Sequence, residues 1–225
     1  MAADRTLAPD LAVEDGLFAS GASLIAAVDE VGRGSAFGPC CVGLVVIDAT
    51  VGAAPAGLRD SKLLSEAARE ALIGPLRAWV RAEAVGEASA GEIDAYGLTA
   101  ALRLAGRRAL SRVPLRPDLV LLDGSYDWMS GEPATLLGPD YPSVPVPPVR
   151  TMVKADLRCA SVAAASVLAK VHRDALIREM APSFPGYGLE HNKGYATASH
   201  LAALRQLGAS VAHRRSWRLP ERDPA

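Results

Sequence analysis

The chain has 225 residues, half of them hydrophobic and 22% charged, with a formal net charge of −1. That composition excludes a disordered polyelectrolyte and allows one domain with a sizeable core, and no apolar run approaches the ~20 residues that cross a bilayer. The first twenty residues are polar and acid-bearing and lack the basic start and apolar stretch of a signal peptide, so no membrane association and a cytoplasmic location are expected.

In chain order, the apolar run 24–30 predicts a buried strand that ends in Asp29 and Glu30, and 42–48 predicts a second. A helical pattern over 66–80 precedes a strand at about 81–88, then a helix over 99–112 and a strand over 119–123. The Pro/Gly-rich stretch 131–148 reads as a long surface loop, because its prolines forbid a central strand and break helices. A strand over 150–153 and helices over 158–180 and 197–207 follow, the last with Thr197 as N-cap and Gly208 as stop. Three early strands and then strands alternating with helices predict an α/β fold, a mixed five-stranded sheet flanked by helices. Cys40, Cys41 and Cys159 are odd in number, and the two adjacent ones face opposite sides of a strand; reduced core thiols are expected.

The chemistry begins at Asp29-Glu30-Val31-Gly32-Arg33-Gly34. Ionised acids on the tip of a buried strand are costly unless a cation or basic partner compensates them, which points to metal. The glycines let the backbone approach a ligand, and Arg33 offers a charge-assisted contact to phosphate. Taken alone, the same residues also describe a solvated turn. A regular strand sends Asp29 and Glu30 to opposite faces, so either the strand ends there or Glu30 reaches round. Residues 1–149 carry 12 basic and 19 acidic residues, a net −7, while 150–225 carry 12 and 6, a net +6, with all four histidines. A basic C-terminal surface beside an acidic centre suits a nuclease, although an imbalance of this size also arises on a solvated face.

Four more blocks follow: Asp60-Ser61-Lys62-Leu63-Leu64-Ser65; Leu122-Asp123-Gly124; Lys154-Ala155-Asp156 leading into Ala163 through Asp174; and Asn192-Lys193-Gly194-Tyr195-Ala196-Thr197 with His213-Arg214-Arg215-Ser216. Together, in this order, the five blocks resemble prokaryotic ribonuclease HII. The resemblance implies an RNase H-like fold with a small C-terminal helical portion, an N-terminal extension over 1–22, a catalytic domain over 23–217 and a tail over 218–225. It also implies a monomer that cuts 5′ to a ribonucleotide in RNA–DNA hybrids and at single ribonucleotides in duplex DNA, leaving a 3′-hydroxyl and a 5′-phosphate. Asp29, Glu30, Asp123 and Asp156 would hold Mg²⁺ or Mn²⁺ in a two-metal arrangement, in keeping with the preference of hard ions for oxygen. Outside the resemblance, Asp123 is equally a turn former before Gly124, and Asp156 a helix N-cap.

Gly32, Arg33 and Gly34 would read the 2′-hydroxyl, the group that separates RNA from DNA, and Tyr195 would pack on the sugar at the junction. Lys62 and Lys193 are candidate phosphate contacts. Ser35 stands where the family commonly has proline, and Ala155 where it has glycine, which bears on loop rigidity. The short segment before the first strand favours the HII type over HIII. A junction resolvase of the same superfold and a binding protein with a vestigial acid cluster are the competing readings. His172, His200, His191 and His213 read as solvated or structural, His200 as a helix-surface residue.

Overall fold

The structure, a computed structural model, describes residues 8–131 and 138–224. Strands β1 (Ile25–Val31), β2 (Cys40–Ile47), β3 (Ala82–Ala88), β4 (Leu119–Asp123) and β5 (Val149–Met152) form one sheet in the order β3-β2-β1-β4-β5. Pairing is antiparallel from β3 through β2 to β1 and parallel from β1 through β4 to β5, so the sheet is mixed as expected. The helices are α1 (Ala12–Ala19), α2 (Glu66–Trp79), α3 (Ala90–Tyr96), α4 (Leu98–Arg112), α5 (Ala155–Arg158), α6 (Ala160–Met180), α7 (Leu189–Asn192) and α8 (Ala198–Leu207).

Both faces of the central strands are covered, which is why they read as nearly continuous apolar runs. Ile25, Ala27, Val45, Ile47 and Leu121 face α6, α2 and α1, while Ala26, Val28, Leu44, Val46, Val120 and Leu122 face α4. Small residues let α6 lie close: a Cβ on Gly43 would run into the Ala165 carbonyl. Gly43→Ala must therefore lift α6 from the sheet, and a loss of about 1–3 kcal/mol is expected in chemical denaturation. A third apolar cluster of Phe37, Ile177, Tyr187, Leu189, Ala203 and Leu204 joins the C-terminal helices to the end of α6.

Three features depart from expectation. The helix expected over 158–180 is broken at Cys159 (φ −101°, ψ 120°), so Asp156 lies on the separate turn α5. The N-terminal segment, expected as an extension, carries α1, whose buried Glu14 accepts hydrogen bonds from Ser161 N (2.9 Å) and Oγ (2.6 Å) and so caps α6. Helix α3 is held by a capping box between Ser89 and Glu92, a signal present in the sequence but too short for periodicity to find. Of the loop expected over 131–148, residues 132–137 lie outside the described residues, and 138–148 contain no helix or strand. The three cysteines are buried free thiols, and no described helix is long and apolar enough to cross a membrane.

Candidate active site

Asp29 and Glu30 sit within β1, whose pairing with β2 continues to Val31↔Cys41 while its pairing with β4 stops at Val28↔Leu122. They point to opposite faces, as strand geometry requires. Asp29 stands opposite Gly43 and is turned toward α6; one step beyond the last β1–β4 pair, Asp123 ends β4 on the same side. Asp156 arrives because Lys154 adopts the left-handed region (φ 59°, ψ 39°) directly after β5. The amide of Ala155 then donates to Asp123 Oδ1 at 2.7 Å, so the alanine found in place of glycine keeps this donor.

Each carboxylate is turned to a local donor. Glu30 N donates to Asp29 Oδ1 (2.8 Å), Arg33 Nη1 to Glu30 Oε1 (3.3 Å) and Lys62 Nζ to Asp156 Oδ2 (3.1 Å). Glu30 Oε2 is buried and has no partner. Burial raises the Asp29 carboxyl well above its usual range; Ser166 and Lys62 oppose this, and the Glu30 and Asp123 charges add to it. Glu30 is raised by burial against the pull of Arg33, and Asp123 by burial and then by Asp156. An all-carboxylate set with an orphaned buried oxygen fits a hard divalent cation. As the side chains stand, no three acids among the described residues converge on one point, so ion binding requires the local donors, Lys62 first, to give way.

The Lys62 turn is built from its own motif. Asp60 Oδ1 caps it through Lys62 N (2.9 Å), and Ser61 Oγ bonds Ser166 Oγ (2.8 Å). Burial works against the Lys62 charge, but the hydrogen bond to Asp156 and the surrounding acids hold its ammonium above the ordinary range. Arg69 ties the turn to α6: it donates to Ser61 O (2.9 Å) and Leu64 O (2.6 Å) and faces buried Asp174 at 3.7 Å.

Gly32 has φ +79°, and a Cβ there would strike the Arg173 guanidinium. Arg173 is fully buried and donates to Pro39 O (3.0 Å), Lys193 O (3.0 Å), Phe37 O (3.0 Å) and Ser35 Oγ (2.7 Å). Arg214, also fully buried, donates to Gly32 O (2.6 Å) and Arg33 O (2.9 Å). Ser35, in the place of proline, thus accepts from Arg173 and donates to Phe37 O (2.9 Å). Gly194 O accepts from Ala36 N and Phe37 N, which draws the Lys193-Gly194-Tyr195 turn onto the Gly32-Arg33-Gly34 loop. The half-buried Tyr195 ring lies over Arg173 (5.3 Å) and Lys170 (5.8 Å). Lys193 lends its backbone, whereas its ammonium is folded back on Glu190 O (2.7 Å).

All ten residues singled out in the sequence therefore lie on these neighbouring strand ends and turns. The groups that sequence reasoning left without a role are Ser61, Ser166, Arg173, Arg214 and two histidines. His200 and His213 are fully buried, not solvated, because α8 presses its first turn into the aromatic cluster around Tyr187 and Phe37. No local signal marks the arginines as buried, since Arg173 stands between His172 and Asp174 and Arg214 between His213 and Arg215.

The ribonuclease HII family model matches residues 26–219. The chain belongs to that family. The ribonuclease HII of Streptomyces coelicolor is 45% identical over 210 residues, covering 93% of this chain and 83% of that protein. The one from Prochlorococcus marinus (strain MIT 9313) is 45% identical over 201 residues, covering 87% and 84%. The crystal structure of ribonuclease H2 from Pyrococcus horikoshii OT3 superposes with a TM-score of 0.64 at 26% identity, over 87% of this chain and 94% of that one. The fold is thus RNase H-like, and the chain is a ribonuclease H, an endonuclease that hydrolyses ester bonds in nucleic acid.

Proposed function

We propose that this ribonuclease H hydrolyses the phosphodiester 5′ to a ribonucleotide, both in RNA–DNA hybrids and at single ribonucleotides embedded in duplex DNA, and leaves a 3′-hydroxyl and a 5′-phosphate. The observation that carries the reading is the meeting of two features at one sheet edge. Four carboxylates, one with an unpartnered buried oxygen, lie beside a glycine loop whose carbonyls buried Arg214 holds and against which buried Arg173 packs. Asp29, Glu30, Asp123 and Asp156 would hold Mg²⁺ or Mn²⁺, and the bound ions would activate water and neutralise the leaving oxygen. The chain's own part is to position. Gly32 and Gly34 admit the sugar edge with its 2′-hydroxyl, Arg33 and Lys62 meet phosphates, and the Tyr195 ring packs on the neighbouring deoxyribose.

The test is cleavage of duplex DNA holding one ribonucleotide, with and without Mg²⁺, against an all-DNA duplex and a branched all-DNA substrate. Mg²⁺-dependent cutting of the first alone is expected; cutting of the branched DNA, or binding without cleavage, overturns the reading. On the same substrate Tyr195→Ala should lose about tenfold or more in kcat/KM and Tyr195→Phe less, since base and sugar stacking is worth roughly 1–3 kcal/mol. The Ala loss should be larger at the single ribonucleotide than within a long hybrid, where other phosphate contacts persist. Equal losses on the two substrates would leave Tyr195 a packing residue.

A further inference from the structure

His200 and His213 lie outside the carboxylate centre, yet they connect to the Tyr195 turn through one carbonyl. Ser210 N donates to His213 Nδ1 (3.0 Å), and an amide can only donate, so Nδ1 is an acceptor. A neutral His213 then carries its proton on Nε2, which faces His200 Nε2 at 3.1 Å and must donate to it. His200 is left with its proton on Nδ1, which lies 2.9 Å from Tyr195 O. Every donor in this chain meets an acceptor in one arrangement of protons only. Tyr195 O also accepts from Thr197 N (2.8 Å), so two donors fix the peptide that carries the ring.

We propose that His200 and His213 are positioning residues for substrate recognition: an uncharged imidazole pair of opposite tautomers that orients the Tyr195 peptide, and with it the ring. This rests on the reading of Tyr195 given above. The surroundings suit an uncharged pair. Phe37 and Tyr187 pack against His213 with ring centroids 5.0 and 4.7 Å away, the Tyr187 hydroxyl is engaged by Gly208 O (2.7 Å), and Arg215 repels a proton on His213. Among the described residues neither ring has a carboxylate partner. A proton added to His200 would set Nε2–H against Nε2–H, and one added to His213 would set Nδ1–H against the Ser210 amide; either breaks the lock.

The tautomers are read directly from ¹⁵N–¹H correlation spectra of the whole protein at neutral pH. Nδ1–H on His200 and Nε2–H on His213 are expected; the same tautomer on both rings, or a charged ring, overturns the proposal. Steady-state cleavage of the single-ribonucleotide duplex in Mg²⁺ supplies the second arm. His200→Leu should raise KM about tenfold, the worth of one lost buried hydrogen bond, with kcat little changed. His200→Asn, whose Nδ2 can stand where the ring Nδ1 stood, should recover most of that. In a Tyr195→Ala background His200→Leu should add almost nothing; independent, multiplying effects overturn the proposal. Where His200→Leu does not fold, His213→Asn takes its place: it frees His200 to change tautomer and should raise KM, and a KM unchanged there overturns the proposal. If Tyr195→Ala alone leaves KM unchanged, the reading of Tyr195 fails, while the spectra still decide the tautomers.

Discussion

Asp29→Asn is expected to lower cleavage by on the order of 10³-fold or more while making the ion-free protein more stable, because the loss of one ligand charge removes several kcal/mol of transition-state stabilisation. Asp29 is only 4% exposed, and the amide preserves its size and can still accept from Glu30 N. The stability gain follows from linkage. The folded-state value of Asp29 is raised by burial and by Glu30 and Asp123, that of Glu30 by burial and by Asp123, and that of Asp123 by burial and by Asp156. Groups of this kind favour the fold below the unfolded carboxylate range, and that contribution is lost as pH rises through their folded values. At neutral pH and without divalent ions the parent therefore bears a cost that Asp29→Asn reduces, so the variant should melt higher than the parent in EDTA. Thermal melts in EDTA and in Mg²⁺ check this: Mg²⁺ should raise the parent's Tm more than the variant's, since a ligand stabilises only the state that binds it. Near-normal turnover, or equal Mg²⁺ stabilisation, would remove Asp29 from the metal centre.

How far the sequence carried this site depends on the kind of residue. Asp29 and Glu30 were legible because the end of an apolar run is a local signal, whereas Asp123 rested on the resemblance, and the pairing that brings it to Asp29 follows from one parallel register. Asp156 was placed at the start of a long helix, yet it sits on a separate turn, since the left-handed Lys154 and the extended Cys159 are backbone choices that no side-chain periodicity encodes. Ser35 and Ala155 looked like losses of rigidity. Tertiary contacts decide otherwise, for Ser35 gains Arg173 and Ala155 keeps the amide that holds Asp123. His200, read as a helix-surface residue, was misjudged for a similar reason. Position on α8 does not say which turn of it is pressed into Tyr187 and Phe37, and a buried imidazole is apolar enough to be accepted there once its two nitrogens are satisfied.

Arg173→Met should be among the most destabilising single changes in the chain, and Arg173→Lys nearly as costly. The guanidinium is wholly buried and serves four acceptors on two segments: Pro39 O, Phe37 O and Ser35 Oγ beyond the glycine loop, and Lys193 O on the Tyr195 turn. Methionine preserves the stem but leaves these acceptors without a donor, at about 1–3 kcal/mol for each that water cannot reach; partial relaxation brings the net loss to about 3–5 kcal/mol. In a chain of this size that corresponds to a Tm lower by about 6–20 °C. Lysine keeps the charge but lacks the planar fork, and one ammonium cannot span acceptors set on opposite sides of the guanidinium. The loss also reaches the site, because Gly32 at φ +79° packs directly on this side chain and Tyr195 lies over it at 5.3 Å. Below its lowered Tm, Arg173→Lys should therefore still show a reduced kcat/KM with an intact carboxylate centre, seen as an unchanged Mg²⁺ stabilisation. Urea denaturation and steady-state kinetics on the two variants test this together. A lysine variant within about 1 kcal/mol of the parent would mean that charge, and not the geometry of the fork, holds the two loops together.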